Sequence, residues 1–209
     1  MRVIFFFLLI LLVGCSKKEK RFIPSQEMKS TYSQEELADI QILVELFNSK
    51  VCQNPNDLSC YRGVLRKSNG DIQKIFNRFS KSDSDMVSDF ISQHPNVIWS
   101  LCPTTLFPVN RKYQSPCLAP ESKFALLLNK ISTDKEVLQR LETNLQESGA
   151  LQLNFWLSDD IIINEFTNRD LNNPNINFIL AIGILGDFHE YQLQLNLGFD
   201  PFDTTGLKF

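Results

Sequence analysis

The fold turns on how "NINFILAIGILGDFHEYQLQLNL", residues 175–197, is read. In "YQLQLNL" (191–197) apolar and polar residues alternate. That places Tyr191, Leu193, Leu195 and Leu197 on one side of a strand, with Gln192, Gln194 and Asn196 on the other. "NINFILAIGIL" (175–185) reads as a second strand, and Gly186-Asp187 supplies the connection between the two. Working back along the chain, "LQLNFWL" (151–157) alternates in the same way, and "DIIINEF" (160–166) follows it. The expectation is a four-stranded antiparallel meander over the last third of the chain.

The segments before it carry helical spacing. "SQEELADIQILVELFNSKV" opens with a capping box, Ser33 and Glu36, and sets Leu37, Ile40, Val44, Phe47 and Val51 on one face. Residues 60–66, 71–81 and 85–93 read as three shorter helices, and Pro95 ends the last. "NVIWSLC" (96–102) suits a strand or a final helical turn. "CPTTLFPVNRKYQSPC" (102–117) holds three prolines and reads as a loop. Ser122 to Ile131 is helical by spacing. "TDKEVLQRLETNLQESG" has its own capping box, Thr133 with Glu136, and an inner face of Leu138, Leu141 and Leu145. The predicted class is α+β: an N-terminal helical group, then a helix and a four-stranded antiparallel meander, braced by two disulfides.

At the other end, Arg2 precedes an unbroken apolar run from Val3 to Val13, with Gly14 before Cys15. Eleven apolar residues cover about 17 Å as a helix, against a hydrocarbon core of about 30 Å, so a stable span is disfavoured. Leu12-Val13-Gly14-Cys15 resembles the lipobox of bacterial lipoproteins. The resemblance covers about the first fifteen residues and no more. It implies removal of residues 1–14 as a signal peptide, a diacylglyceryl thioether on Cys15 and an acylated amine beside it. Two or three acyl chains make attachment to a membrane effectively permanent, where one is marginal. In that family an Asp after the cysteine favours retention in the inner membrane. Ser16 stands there instead, which favours the outer membrane. Lys17, Lys18, Lys20 and Arg21 suit anionic head groups, and "SKKEKRFIPSQEMKSTY" (16–32) reads as a flexible tether.

The expected organisation is therefore a cleaved signal (1–14), an acylated cysteine with its tether (15–32), and one α+β domain over 33–209. That domain divides into a helical part (33–101), a proline-rich loop (102–120) and a helix-plus-meander part (121–209).

Composition is that of an ordinary globular protein, 43% hydrophobic and 22% charged, with 17 Phe among the apolar residues. Lys and Arg number 21, so loss of Arg2 with the signal leaves 20 against 24 Asp and Glu, a net charge of about −4. No basic face that would follow a nucleic-acid backbone is implied, so no nucleic-acid partner is expected. The expected partners are the membrane, through Cys15, and an envelope protein or glycan.

Four cysteines remain beyond Cys15: Cys52, Cys60, Cys102 and Cys117. In an exported chain they argue for two disulfides, with three pairings possible. The local ones, Cys52–Cys60 and Cys102–Cys117, are preferred. Neither pair has tight zinc-ligand spacing and there are only two histidines, so no metal or cofactor is expected.

Asp187, His189 and Glu190 in "GDFHEY" are the candidate catalytic group. On a strand, Asp187 and His189 share a face, as a general base and its orienting carboxylate must. At a hairpin turn the same residues are simply solvated. Asp159, Asp160 and Glu165 could serve glycosidic hydrolysis, and Asp170, Asn172, Asn173 and Asn175 offer hard oxygen ligands without EF-hand spacing. Ser132 and Lys135 fit the letters S-x-x-K with no K-T-G element after them.

These readings lead to a membrane-anchored, non-enzymatic envelope binding module. One alternative is an envelope hydrolase using His189 with Asp187 or Glu190. Another is a carrier with an apolar cavity under the meander, lined by Phe155, Phe178 and Phe188.

Overall fold

The structure, a computed structural model, describes residues 21–52, 72–106, 110–148 and 166–203. Over these it contains eight α-helices and one two-stranded antiparallel sheet, a mixed helix-and-sheet architecture.

The chain is already packed before the first expected helix. Phe22, Met28 and Tyr32 are buried, and a short helix α1 (Gln26–Lys29) is capped by Ser25, whose Oγ accepts from Met28 N at 3.1 Å. Much of the segment read as tether is thus part of the folded body. Helix α2 (Gln34–Val51) starts where the capping box puts it: Glu36 N donates to Ser33 Oγ and Ser33 N to Glu36 Oε2. Ile40, Val44, Phe47 and Val51 are buried on its inner face, as their spacing requires.

After α3 (Gln73–Phe76), helix α4 (Lys81–Gln93) opens on a second capping box, Ser80 with Asp83. It is tied to α2 at both ends. Lys50 Nζ lies 2.8 Å from Asp83 Oδ2, and His94 Nε2 lies 2.7 Å from Asp39 Oδ2. Asn96, in the left-handed region at φ 62°, turns the chain out of α4.

The proline-rich stretch is a hairpin rather than a loop. Strands β1 (Trp99–Leu106) and β2 (Arg111–Leu118) pair from Trp99↔Leu118 to Leu106↔Arg111. Pro103 and Pro116 fit because each strand of a two-stranded ribbon has one side whose N–H groups need no ladder partner. A disulfide joins Cys102 and Cys117, at a Cα separation of 5.9 Å. It is the disulfide placed among the described residues. Cys52 is buried and disulfide-bonded, but Cys60 lies outside them, so the expected second pair is not seen.

Ser122 caps α5 (Lys123–Ile131), and Lys123 Nζ reaches Glu36 at 2.6 Å, pinning this helix to the start of α2. A 3₁₀ turn (Ser132–Asp134) spans Thr133, and α6 (Glu136–Ser148) buries Val137, Leu138, Leu141 and Leu145.

Among the described residues the expected four-stranded meander is not seen. Its first two strands fall at 151–157 and 160–166, outside the described residues except for Phe166. The last two are one helix. After α7 (Asn168–Leu171), α8 runs from Pro174 to Asn196 without a break. Asn173 Oδ1 accepts from Asn175 N at its start, Pro174 occupies the first turn, and every residue from Asn175 to Glu190 is buried. Its end is a Schellman motif: Phe199 N donates to Gln194 O and Gly198 N to Leu195 O, with Gly198 at φ 79°. Helix α8 touches α2, α4 and β2, so it is the axis of the core. A helix surrounded on all sides shows no polar stripe, and its two interior glycines, each costing about 1 kcal/mol against alanine, are offset by that burial.

Candidate functional site

On a helix each residue advances about 100°, so Asp187 and Glu190 lie on one side of α8 and His189 faces nearly away from Asp187. The expected Asp187–His189 pair is therefore not brought together.

His189 turns toward α4, where its Nδ1 lies 2.7 Å from Ser84 Oγ, both side chains being buried. Burial holds its pKa below the usual histidine value, against the opposing pull of Asp85.

Glu190 turns toward the hairpin. Tyr113 Oη on β2 donates to Glu190 Oε1 at 2.8 Å, and Gln194 Nε2 reaches Tyr113 Oη at 3.2 Å and Glu190 Oε1 at 3.3 Å. Burial first, and the Glu190 carboxylate after it, push the Tyr113 hydroxyl up to about 12. Asp187 is buried one turn earlier. Burial, with the charge of Glu190 added, holds its carboxyl well above the ordinary range, and its Oδ2 has no hydrogen-bond partner.

His189 and Glu190 thus belong to two internal networks, one joining α8 to α4 and one joining α8 to β2. Asp187, His189 and Glu190 are 6, 7 and 8% exposed. His189 and Glu190 tie elements together, with the proton of Tyr113 already committed to Glu190.

The other candidates are dispersed. Asp159, Asp160, Glu165, Phe155 and Cys15, the expected site of lipidation, lie outside the described residues. Asp170 caps α7 through Thr167 and pairs with Lys135 at 2.7 Å, which holds its carboxyl below the usual range although burial opposes this. Asn173 caps α8, and Asn175 bonds Ser25 and Glu27. The Asp170, Asn173 and Asn175 oxygens read as cation ligands are therefore used as helix caps and cross-links. Phe178 packs against Tyr32 and Phe124, and Phe188 against Phe76 and Phe79, inside the core. Among the described residues no cluster of three His, Cys, Asp or Glu side chains could hold a metal ion.

A surface feature was missed by sequence reasoning. Asp39, Ile42 and Leu43 of α2, with Met86, Asp89, Phe90 and Gln93 of α4, line a shallow groove of about 170 Å³. It lies between the two cross-links that clamp these helices. Ile42 is off the buried stripe of α2, which was the available signal. Met86, on α4, is also at the surface.

No family model, curated protein or solved structure matches this chain.

Proposed function

We propose that the chain is a bacterial envelope lipoprotein, anchored through Cys15 and favouring the outer membrane, whose folded body is a binding module for another envelope component, a protein or a glycan. The observation that carries this reading is where the folded body begins. Phe22 is buried and its backbone N–H donates to Glu45 Oε1 at 3.1 Å, seven residues after the lipobox cysteine. A module working at a membrane needs its body close to the anchor, and this spacing supplies that. No described helix is long and apolar enough to cross a membrane, so attachment would rest on Cys15.

The two other readings draw less from the geometry. A hydrolase built on His189 would need that buried ring freed from Ser84, and a carrier would need space where Phe178 and Phe188 fill the core.

The test is intact mass measurement on the full chain taken from the membrane fraction of a bacterial host, beside Cys15→Ser. The expected parent has lost residues 1–14 and gained the mass of a diacylglyceryl and a third acyl chain, and the variant is unacylated. A parent carrying no lipid mass would end the anchor reading. Native mass measurement of the gently extracted lipoprotein then reads any bound partner directly.

A further inference from the structure

Five large apolar side chains are conspicuously exposed among the described residues: Ile23, Ile42, Met86, Leu101 and Leu126. Three of them fall on the segment by which the chain enters the fold and on the α2–α4 pair. Phe22 is fixed to Glu45 of α2, and Ile23, 66% exposed, follows it directly. Glu45 is in turn held by Gln41 Nε2 at 2.8 Å. Ile42, three residues before Glu45 and so a neighbour on the same side of α2, is 50% exposed. Across the groove stands Met86 of α4, 36% exposed.

We infer that this face, Ile23 with the Ile42–Met86 groove, lies on the lipid surface. The inference rests on the anchor reading above. From Cys15 to Phe22 there are seven residue steps, which extend to about 25 Å at most. An acylated Cys15 therefore keeps the entry face of the body within reach of the head groups and leaves the hairpin, with Leu101, free to lie farther off. The intervening Lys17, Lys18, Lys20 and Arg21 draw that connection onto anionic lipid, opposed by Glu19 alone. The groove's own rim is acidic, at Asp39 and Asp89, and Asp39 is engaged by His94. The contact of the face itself is thus apolar, with the basic residues supplying the charge attraction. Because the anchor keeps the face at high local concentration, a contact too weak to hold a free protein is sufficient.

The experiment uses the full acylated lipoprotein in vesicles of phosphatidylethanolamine and phosphatidylglycerol. A fluorophore is placed in turn at Ile42→Cys, Met86→Cys and, on the hairpin, Leu101→Cys, and is quenched by brominated lipid. All three positions are exposed, and circular dichroism checks that each variant is folded. The inference expects quenching at positions 42 and 86 to exceed that at 101 by roughly twofold or more, as for side chains seated at the head-group boundary. Equal quenching at the three sites, in protein that floats with the vesicles and carries the lipid mass, overturns the membrane-facing assignment and leaves the anchor standing. Protein that neither floats nor carries lipid overturns the anchor, and the inference with it.

Discussion

Asp187 is the residue whose environment fits its chemistry least. Burial, with Glu190 nearby, raises the pKa of its carboxyl, and Oδ2 meets no donor. A carboxyl whose pKa is raised by folding contributes stability that is complete below the unfolded value, about 3.8, and is lost as pH rises toward the folded one. His189 has the opposite sign. Its pKa is lowered by burial, so it costs stability as pH falls through about 6.5 and the unfolded ring takes up a proton. Asp187→Asn keeps the shape and removes the first effect. Urea denaturation at about pH 5, 7 and 8.5 is expected to show the variant more stable than the parent by on the order of 1 kcal/mol at neutral pH, with its advantage growing toward alkali. An unchanged pH slope would mean that Asp187 is ionised in the fold. Sequence reading singled out Asp187, His189 and Glu190 as unusual but paired the wrong two. Which residues share a side depends on whether successive side chains turn by 180° or by 100°, and that is a property of the element. Ser33 with Glu36 was legible because a capping box is complete within four residues.

Among the elements, α8 shows why a uniformly apolar segment misleads. Its surroundings are core on every side, so no polar stripe marks a helical period, and the alternation in "YQLQLNL" imitates a strand. What argued for a helix was unbroken length together with both ends: Asn173 and Pro174 at the start and Gly198 at the finish. The hairpin was obscured by the opposite fault, since prolines that exclude a central strand do not exclude a two-stranded ribbon. The junction of α8 with α2 offers a test. Asn48 and Asn177 exchange amide hydrogen bonds in the core, at 3.3 and 3.1 Å. Asn177→Leu removes a bonded group while Asn48 stays buried, and about 1–3 kcal/mol of stability should go with it. Asn48→Leu with Asn177→Leu should cost less than the two single changes summed, and chemical denaturation of the four proteins measures that coupling. Strict additivity would show that the two amides do not act as a pair.

For the whole molecule, the hairpin is held by β1–β2 pairing, by the contact of β2 with α8 and by Cys102–Cys117. The disulfide closes a loop of sequence separation 15. Replacing both cysteines by serine should therefore cost about 3 kcal/mol, read as a lower guanidinium midpoint that reductant no longer affects through this pair. A midpoint equal to that of the oxidised parent would show that strand pairing alone fixes the hairpin. The architecture also bears on how the chain reaches its native state. Helix α8 follows α2, α4 and β2 in the chain and is the surface on which all three are assembled. A polypeptide synthesised in order from its N-terminus delivers those segments first, with their apolar sides uncovered and nothing yet to close on. Cooperative folding has to wait for the arrival of residues 174–196. Until then the chain depends on holding factors or on speed to escape aggregation.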